Sequence, residues 1–453
     1  MRGASGLFFQ GARAKNLRRY AAIALFLLLV AGLVAAAILF HSRLASFLGP
    51  LDQLRRFLPL GIVGLLSWSV WLVRVILSRR YKPVPVGYRT TTSVVVPAYR
   101  EDPETIVRCA KSWLAEEPTE VIVVPDVADE EVVAALRALG DLKLRVIPFA
   151  HEGKRSALGV GIRAATSEVI VLADSDTEWV PGLLAAIEAP FEDPKVGGVG
   201  TRQNVYRPET SVWRRLANWM IDIRYLDYVP SQARAGAVAC LSGRTAAYRR
   251  SAVIGVLGHM EHEFFLGRMC ISGDDGRLTW LMLAAGYKTV YQSTARTLSM
   301  FPDRPWPFYK QRLRWSRNSY RCYLTAIWKG WLWRQPLITQ LTVLQFMFTP
   351  LTMGIALAYL GHWIFHPGQF IATIALSWLL IGRSIRGLSH LREQPRDILI
   401  LPLVALATIS IALPVKVFAI LTMNRQGWLT RHADLVGAEA QGASTVAGGP
   451  VPG

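Results

Sequence analysis

Val169-Ile170-Val171-Leu172-Ala173-Asp174-Ser175-Asp176 is the stretch on which the reading of this chain turns. An uninterrupted apolar run of this length reads as a strand buried on both faces, as in a parallel sheet. Sheets of that kind place their chemistry just past the carboxyl ends of the strands. Two carboxylates separated by one small residue at such an edge can hold a divalent cation that bridges a diphosphate, because Mg²⁺ takes one or two protein carboxylates and completes its shell with phosphate oxygens and water. The same residues would also make a solvated turn with Asp at a helix N-cap. The rest of the chain must decide between the two.

Apolar runs alternate with helix-like stretches on the amino-terminal side of this segment. Ser93-Val94-Val95-Val96 ends at Pro97, and a helical pattern follows from Pro103 to Glu117. Val121-Ile122-Val123-Val124 ends at Pro125-Asp126, before a second helix over Asp129 to Leu139. Leu144 to Ile147 reads as a third strand and Lys154 to Ala165 as a third helix. This order predicts an α/β domain over residues 88–300, with a mostly parallel, doubly wound sheet.

That domain lies between apolar blocks. Ala21 to Phe40 and Phe57 to Val73 carry no formal charge, and Arg18, Arg19, Arg79, Arg80 and Lys82 flank them. They predict two transmembrane helices within 21–82, after a cytosolic segment 1–20. Pro336 to Gly382 lacks Lys, Arg, Asp and Glu, and Ile398 to Met423 follows with Pro414 and Lys416 inside it, so 336–423 reads as a second membrane region. A lysine at that depth must snorkel or face protein and water, which predicts a broken or re-entrant segment at 398–423, unless a further span is hidden in the interfacial region. The formal net charge of +19 could signal nucleic acid, but much of the surplus borders the apolar spans. That positive-inside bias places the amino terminus and the central domain in the cytoplasm of an integral plasma-membrane protein, with the lipid bilayer as partner and no nucleic acid. The 4 cysteines are scattered, which excludes a disulfide framework and a zinc site. The Gly-, Ala-, Ser- and Pro-rich tail, 437–453, is expected to be disordered.

Several other residues could carry chemistry, each with a plainer alternative. Asp126 ends a strand and could accept hydrogen bonds from a base or ribose, or simply form a turn. His151-Glu152-Gly153-Lys154-Arg155 opens a helix, and its amides and cations suit a phosphate. Gly273-Asp274-Asp275 precedes a helix expected over Arg277 to Ala285; its adjacent carboxylates could raise one pKa toward that of a general base, or one could cap the helix. Gln311-Arg312-Leu313-Arg314-Trp315 puts Gln311, Arg314 and Trp315 on one helical face, where Trp could stack on a sugar and Arg could reach a diphosphate. An interfacial amphipathic helix over 301–335 would use the same residues at headgroup depth.

Taken in order, these motifs resemble the processive family 2 of inverting glycosyltransferases that includes hyaluronan, chitin and cellulose synthases. The match runs from Val94-Val95-Val96-Pro97-Ala98-Tyr99 through Gly153-Lys154-Arg155, Asp174-Ser175-Asp176 and Leu241-Ser242-Gly243 to Gly273-Asp274-Asp275 and Gln311-Arg312-Leu313-Arg314-Trp315. Gly-Asp-Asp, with Cys270 before it and Leu278-Thr279 after it, is most similar to hyaluronan synthases. The resemblance implies a GT-A fold inserted between transmembrane helices, a UDP-sugar donor, a growing polysaccharide acceptor that is exported, Mg²⁺ or Mn²⁺, and no obligatory protein partner.

It also implies roles. Asp126 would contact the uridine, with Lys154 and Arg155 near the nucleotide; Asp174 would face the ribose or diphosphate, and Asp176 would bind the metal. Asp275 would be the catalytic base, with Asp274 beside it. Ser242 and Gly243 would lie near the acceptor, Arg314 would reach the diphosphate, Trp315 would line the acceptor site, and Gln311 would be among the substrate-binding residues. Trp428, Thr430 and Arg431, in a gating loop over 424–436, would close over bound UDP. The chain departs from the family pattern at Gly276-Arg277, which replace Arg-His, at Arg244, where hyaluronan synthases have Pro, and at Leu429, which replaces Gly. Alternatives are a non-processive transferase with a lipid-linked acceptor, a chitin- or cellulose-type homopolymer synthase, a nucleotidyltransferase, and a transporter or channel. The last leaves the strand-end aspartates unexplained.

Overall fold

The computed structural model describes residues 58–150, 152–365, 382 and 384–425. The strands are β1 (Thr92–Ala98), β2 (Glu120–Pro125), β3 (Leu144–Val146), β4 (Val169–Ala173), β5 (Thr177–Trp179), β6 (Val196–Val205), β7 (Thr245–Arg249), β8 (Phe264–Phe265), β9 (Arg268–Met269) and β10 (Lys288–Ser299). All but β8 and β9, which form a separate hairpin, join one sheet in the order β3-β2-β1-β4-β7-β6-β10-β5.

The amino-terminal half follows from period-2 burial. Val94 and Val96 of β1, Val121 and Val123 of β2, and Val169 and Val171 of β4 point to one face, beneath Ile106, Cys109 and Trp113 of the helix Pro103–Leu114. Val95, Ile122, Val124, Ile170 and Leu172 point to the other, beneath Leu158 and Ile162 of the helix Lys154–Ala164. Both faces are covered, so both sets of alternating positions must be apolar, and the strands read as unbroken runs. The helix Pro103–Leu114 starts where Asp102 accepts a hydrogen bond from Thr105 N at 2.8 Å, with Pro103 at its first turn.

The sheet is mixed: six of its eight strands run one way, as the sequence suggested for a mostly parallel sheet, and two run against them. β2, β1 and β4 run parallel, but β7 enters antiparallel between β4 and β6, and β5 closes the far edge antiparallel to β10. A βα alternation predicts parallel crossovers. The long connection from β6 to β7 instead carries its own helices and returns the chain in the opposite sense. One consequence matters for function. Ala173 pairs with Thr245, so the residues just before β7 arrive beside the carboxyl end of β4, and Asp174 N donates to Arg244 O at 3.0 Å.

After the sheet comes the helix Pro305–Trp328, which packs against the helix Asp274–Ala284. A Cβ at Gly276 would lie 3.1 Å from Cys322 Sγ, so the two helices approach closely at this glycine. The other end of this long helix is tied to the last described residues: Arg317 Nε donates to Thr422 Oγ1 at 3.0 Å and Arg321 Nη1 to Met423 O at 2.6 Å.

Leu58–Arg79 is a 22-residue helix and Leu337–Phe365 a 29-residue helix containing Pro350. Arg74, wholly buried, joins them: it donates to Gln345 Oε1 at 3.0 Å and its guanidinium lies 3.8 Å from the Tyr228 ring centroid. Among the described residues, the helical stretch Pro395–Leu421 is the one long and apolar enough to cross a membrane. It contains a π-helical turn at Thr408–Ala412, just before Pro414, and the Lys416 ammonium lies 3.6 Å from the Phe346 ring centroid. His390 anchors this region to the α/β domain. Its Nδ1 lies 2.8 Å from Asp222 and its Nε2 2.9 Å from Asp397, wholly out of solvent. The expected span at 21–40 and the tail at 437–453 lie outside the described residues.

Candidate active site

The carboxyl edge of the sheet collects the strand-end aspartates. Asp126 follows β2, and its Oδ1 accepts a hydrogen bond from Ala128 N at 3.1 Å, so it shapes its own turn while staying half-buried. Asp174 and Asp176 follow β4, with β1 between β4 and β2. Two strand spacings, about 10 Å, therefore separate the Asp126 end from the Asp174 end. Ser175 turns inward and donates to Glu101 at 2.6 Å, leaving its two flanking aspartates at the edge.

Lys154 connects this edge to the far half of the chain. Its Nζ lies 2.8 Å from Asp174 Oδ1 and 3.1 Å from Asp274 Oδ2. Burial works against the ammonium charge, but Asp174 and then Asp274 outweigh it, and the pKa of Lys154 is raised. Gly153 precedes it with φ +115°, a conformation that favours glycine and lets the helix start at Lys154.

Asp274 and Asp275 occupy the first turn of their helix, which begins at Asp274 rather than at Arg277 as the sequence suggested. Gly273 supplies the left-handed start, φ +78°, and a Cβ there would come within 3.1 Å of Asn318 Cγ on the helix Pro305–Trp328. Asp275 Oδ1 accepts from Gly276 N at 2.8 Å and its Oδ2 from Gly243 N at 3.4 Å. Burial, then the Asp274 charge, pushes the Asp275 carboxyl above its ordinary value; Lys154 and the two amides oppose that shift without cancelling it. Gly243 is the hub of the group, since a Cβ there would lie 3.2 Å from Asp275 Cβ, 3.3 Å from Lys154 Nζ and 3.4 Å from Asp274 Oδ2. Ser242 lies beside Tyr225.

The helix Pro305–Trp328 closes the site from the carboxyl-terminal side. Arg314 faces Asp174, Asp275 and Asp274; burial lowers its pKa and these carboxylates pull the other way. Gln311 is buried, and its Oε1 has no hydrogen-bond partner among the described residues. Trp315 packs edge-on against Phe301, ring centroids 6.0 Å apart.

Thus Lys154, Asp174, Gly243, Asp274, Asp275 and Arg314 come together, with Asp176 and Asp126 on the same edge. Arg155 points away from them. It is buried, and it donates to Glu263 at 2.8 Å, to Met260 O at 2.9 Å and to Gly273 O at 3.1 Å. Trp428, Thr430 and Arg431 lie outside the described residues. Two residues at the site were not singled out for it by the sequence. The Cys240 thiol, pushed up to about 12 by burial and then by Asp275, stays protonated and donates to Asp275 Oδ2 at 4.0 Å. Arg244 was noted only as a departure from Pro, yet its guanidinium lies between the Asp174 edge and Trp315.

Among the described residues, no group of three or more His, Cys, Asp and Glu side chains could cage a metal alone. A hard divalent ion shared with a diphosphate needs only one or two carboxylates. Asp176, half-buried at the strand edge, fits that requirement, whereas Asp174 is already neutralised by Lys154.

Residues 89–318, about half of the chain, match the family described as "Glycosyltransferase like family 2". The chain belongs to glycosyltransferase family 2. Among relatives of this family 2 enzyme, an N-acetylglucosaminyltransferase of Rhizobium leguminosarum bv. viciae is 30% identical over 389 residues, covering 81% of this chain and 87% of that one. Another, from Mesorhizobium japonicum, is 29% identical over 362 residues, covering 76% and 82%. A mannosyltransferase from Pyrobaculum calidifontis, solved in complex with GDP-Man and Mn²⁺, aligns with a TM-score of 0.54 at 20% identity, covering 76% of this chain and 95% of that one. The mixed sheet of this family 2 glycosyltransferase is therefore a GT-A-like α/β fold.

Proposed function

We propose that this glycosyltransferase moves N-acetylglucosamine from UDP-GlcNAc to a saccharide acceptor by a single inverting displacement, with Asp275 as the base. The observation that carries the reading is the Lys154 bridge between Asp174 and Asp274, which holds the base helix against the strand-end aspartates. The curated relatives named above support the donor sugar.

In the reaction, the acceptor oxygen forms a bond to the anomeric carbon as the bond to the UDP oxygen breaks, and the hydroxyl proton passes to Asp275. The raised pKa of Asp275 brings it closer to the pH at which a base works well. Its hydrogen bonds from Gly243 and Gly276 keep the carboxylate aimed while it waits. Arg314 faces the side where the leaving diphosphate gathers charge, and its preorganised positive charge there costs no reorganisation. Asp126, two strands away on the same edge, takes the uridine in this reading. Gln311 Oε1 accepts a sugar hydroxyl, and Trp315 offers the ring face on which the acceptor stacks. Mg²⁺ or Mn²⁺, held by Asp176 when bound, supplies Lewis-acid charge to the diphosphate.

Processive synthesis, with the polymer passed to membrane helices around a cytoplasmic domain, is the extension we favour. It is supported by the apolar blocks that flank the domain and by their basic borders. Release of UDP from UDP-GlcNAc by the purified full chain, lost with EDTA and recovered with Mn²⁺, is the expected result. No release from UDP-GlcNAc under any metal condition would refute the reading. Turnover that requires UDP-GlcNAc and UDP-GlcA together would instead favour a hyaluronan-type polymer, and release without sugar incorporation would remove the transferase assignment.

A further inference from the structure

Arg244 and Arg312 share one aromatic platform. The Arg244 guanidinium carbon lies 4.0 Å from the Phe301 ring centroid and 5.4 Å from that of Trp315. That of Arg312 lies 4.9 Å from Trp315, 4.7 Å from Phe308 and 6.0 Å from Phe301. Stacking on rings accommodates the cations but gives their N–H groups nothing to donate to.

Those donors are largely unsatisfied. Arg244 is only 6% exposed; its Nη2 donates to Met300 O at 3.3 Å, and its Nη1 has no hydrogen-bond partner among the described residues. Nε and Nη2 of Arg312 are buried and equally unpartnered. Neither forms an ion pair among the described residues. Asp176 and Asp174 act on Arg244 from a distance, and the charged groups facing Arg312 are Arg244 and Arg224, both cations. Like charges gathered out of water with idle donors are costly unless an anion joins them.

The Trp315 contact shared by the pair points to the acceptor, while Asp176 and Asp174 act on Arg244 from the donor edge. Arg244 follows Gly243, whose N–H touches the Asp275 carboxylate, and both guanidiniums lie against Trp315. On the reading of Asp275 as base and Trp315 as acceptor platform, on which this inference rests, that is the acceptor's side. We infer that Arg244 and Arg312 form an anion subsite for the acceptor, selecting a saccharide whose terminal sugar carries anionic oxygens beside the reacting hydroxyl. Planar guanidiniums fit a carboxylate or a phosphate equally well. A glycan ending in a uronic acid and a sugar on a lipid pyrophosphate both present that chemistry.

The test is equilibrium binding to the full-length protein, followed by tryptophan fluorescence, with three probes: chitotetraose, a tetrasaccharide with a non-reducing terminal glucuronate, and a short-chain GlcNAc-pyrophosphoryl prenol. At least one anionic probe is expected to bind about tenfold more tightly than the neutral one, the scale of one charge-assisted hydrogen bond. Arg244→Gln and Arg312→Gln should each erase that ratio, and Arg244→Lys should retain part of it. A ratio between probes does not depend on how much of a variant is folded. The probe that wins distinguishes carboxylate from phosphate. Neutral chitotetraose binding as tightly as both anionic probes, or a ratio unchanged in both Gln variants, overturns the subsite. Failure to release UDP strikes the proposed function alone, since binding is measured without turnover.

Discussion

Asp275 sits at the point where burial and a neighbouring carboxylate hold its proton more tightly than usual while Lys154 draws it off. A base must be ionised to act, so the rate should fall as pH drops through its raised pKa, with the acidic limb of kcat/KM displaced above the ordinary carboxylate range. Lys154→Gln removes the charge that favours ionisation and should move that limb to still higher pH; a limb that stays in place contradicts the base assignment. Asp275→Asn should lower transfer by about 10²–10⁴-fold while UDP binding, read by calorimetry, persists. At this scale much was legible. Strand-end aspartates, the Gly-Asp-Asp turn and the Gln311–Trp315 motif announce themselves through local order. The Lys154 bridge does not, because it joins residues 120 positions apart in the chain and exists only once β4 and the helix Asp274–Ala284 converge. Arg155 and Lys154 look alike in sequence, but successive positions on a helix point about 100° apart, so one enters the site and the other is taken up by Glu263 and Gly273 O.

Elements divide in the same way. β1, β2 and β4 and their helices were readable because burial on both faces makes every residue apolar. β7, Thr-Ala-Ala-Tyr-Arg, is short and rich in small residues, and β5 spans three residues, so neither direction nor pairing could be read from them. Yet the antiparallel entry of β7 is what delivers Gly243 and Arg244 to the site. The junction between the base helix and the helix Pro305–Trp328 is another feature without a sequence signature beyond its glycine. Gly273→Ala would place a Cβ on a left-handed residue and against Asn318, costing about 1–2 kcal/mol for the backbone alone. Thermal unfolding in detergent should show a lower midpoint, and kcat should fall as Asp275 is displaced. An unchanged midpoint with unchanged kcat would mean that the junction does not position the base.

For the whole molecule, composition alone marked out apolar blocks around an α/β domain, but which of their residues meet protein depends on contacts no composition reveals. Arg74 is one such case: a charged residue near the end of an apolar helix, wholly buried against Tyr228 and Gln345. Lys416, set against Phe346 within an apolar stretch, is another. Washing membranes with alkaline carbonate should leave the protein in the pellet; its complete release to the supernatant would contradict integral insertion. The helix Pro305–Trp328 carries Gln311, Arg314 and Trp315 in its first half and, further along, grips Thr422 and Met423 through Arg317 and Arg321. On the proposed function, one helix would thus set sugar preference and also hold the carboxyl-terminal helices. On that reading, a chimaera that transplants only residues 92–299 from a relative would set a foreign donor pocket against the native helix, whereas a graft extended through Met423 would carry the helix and its moorings as a unit.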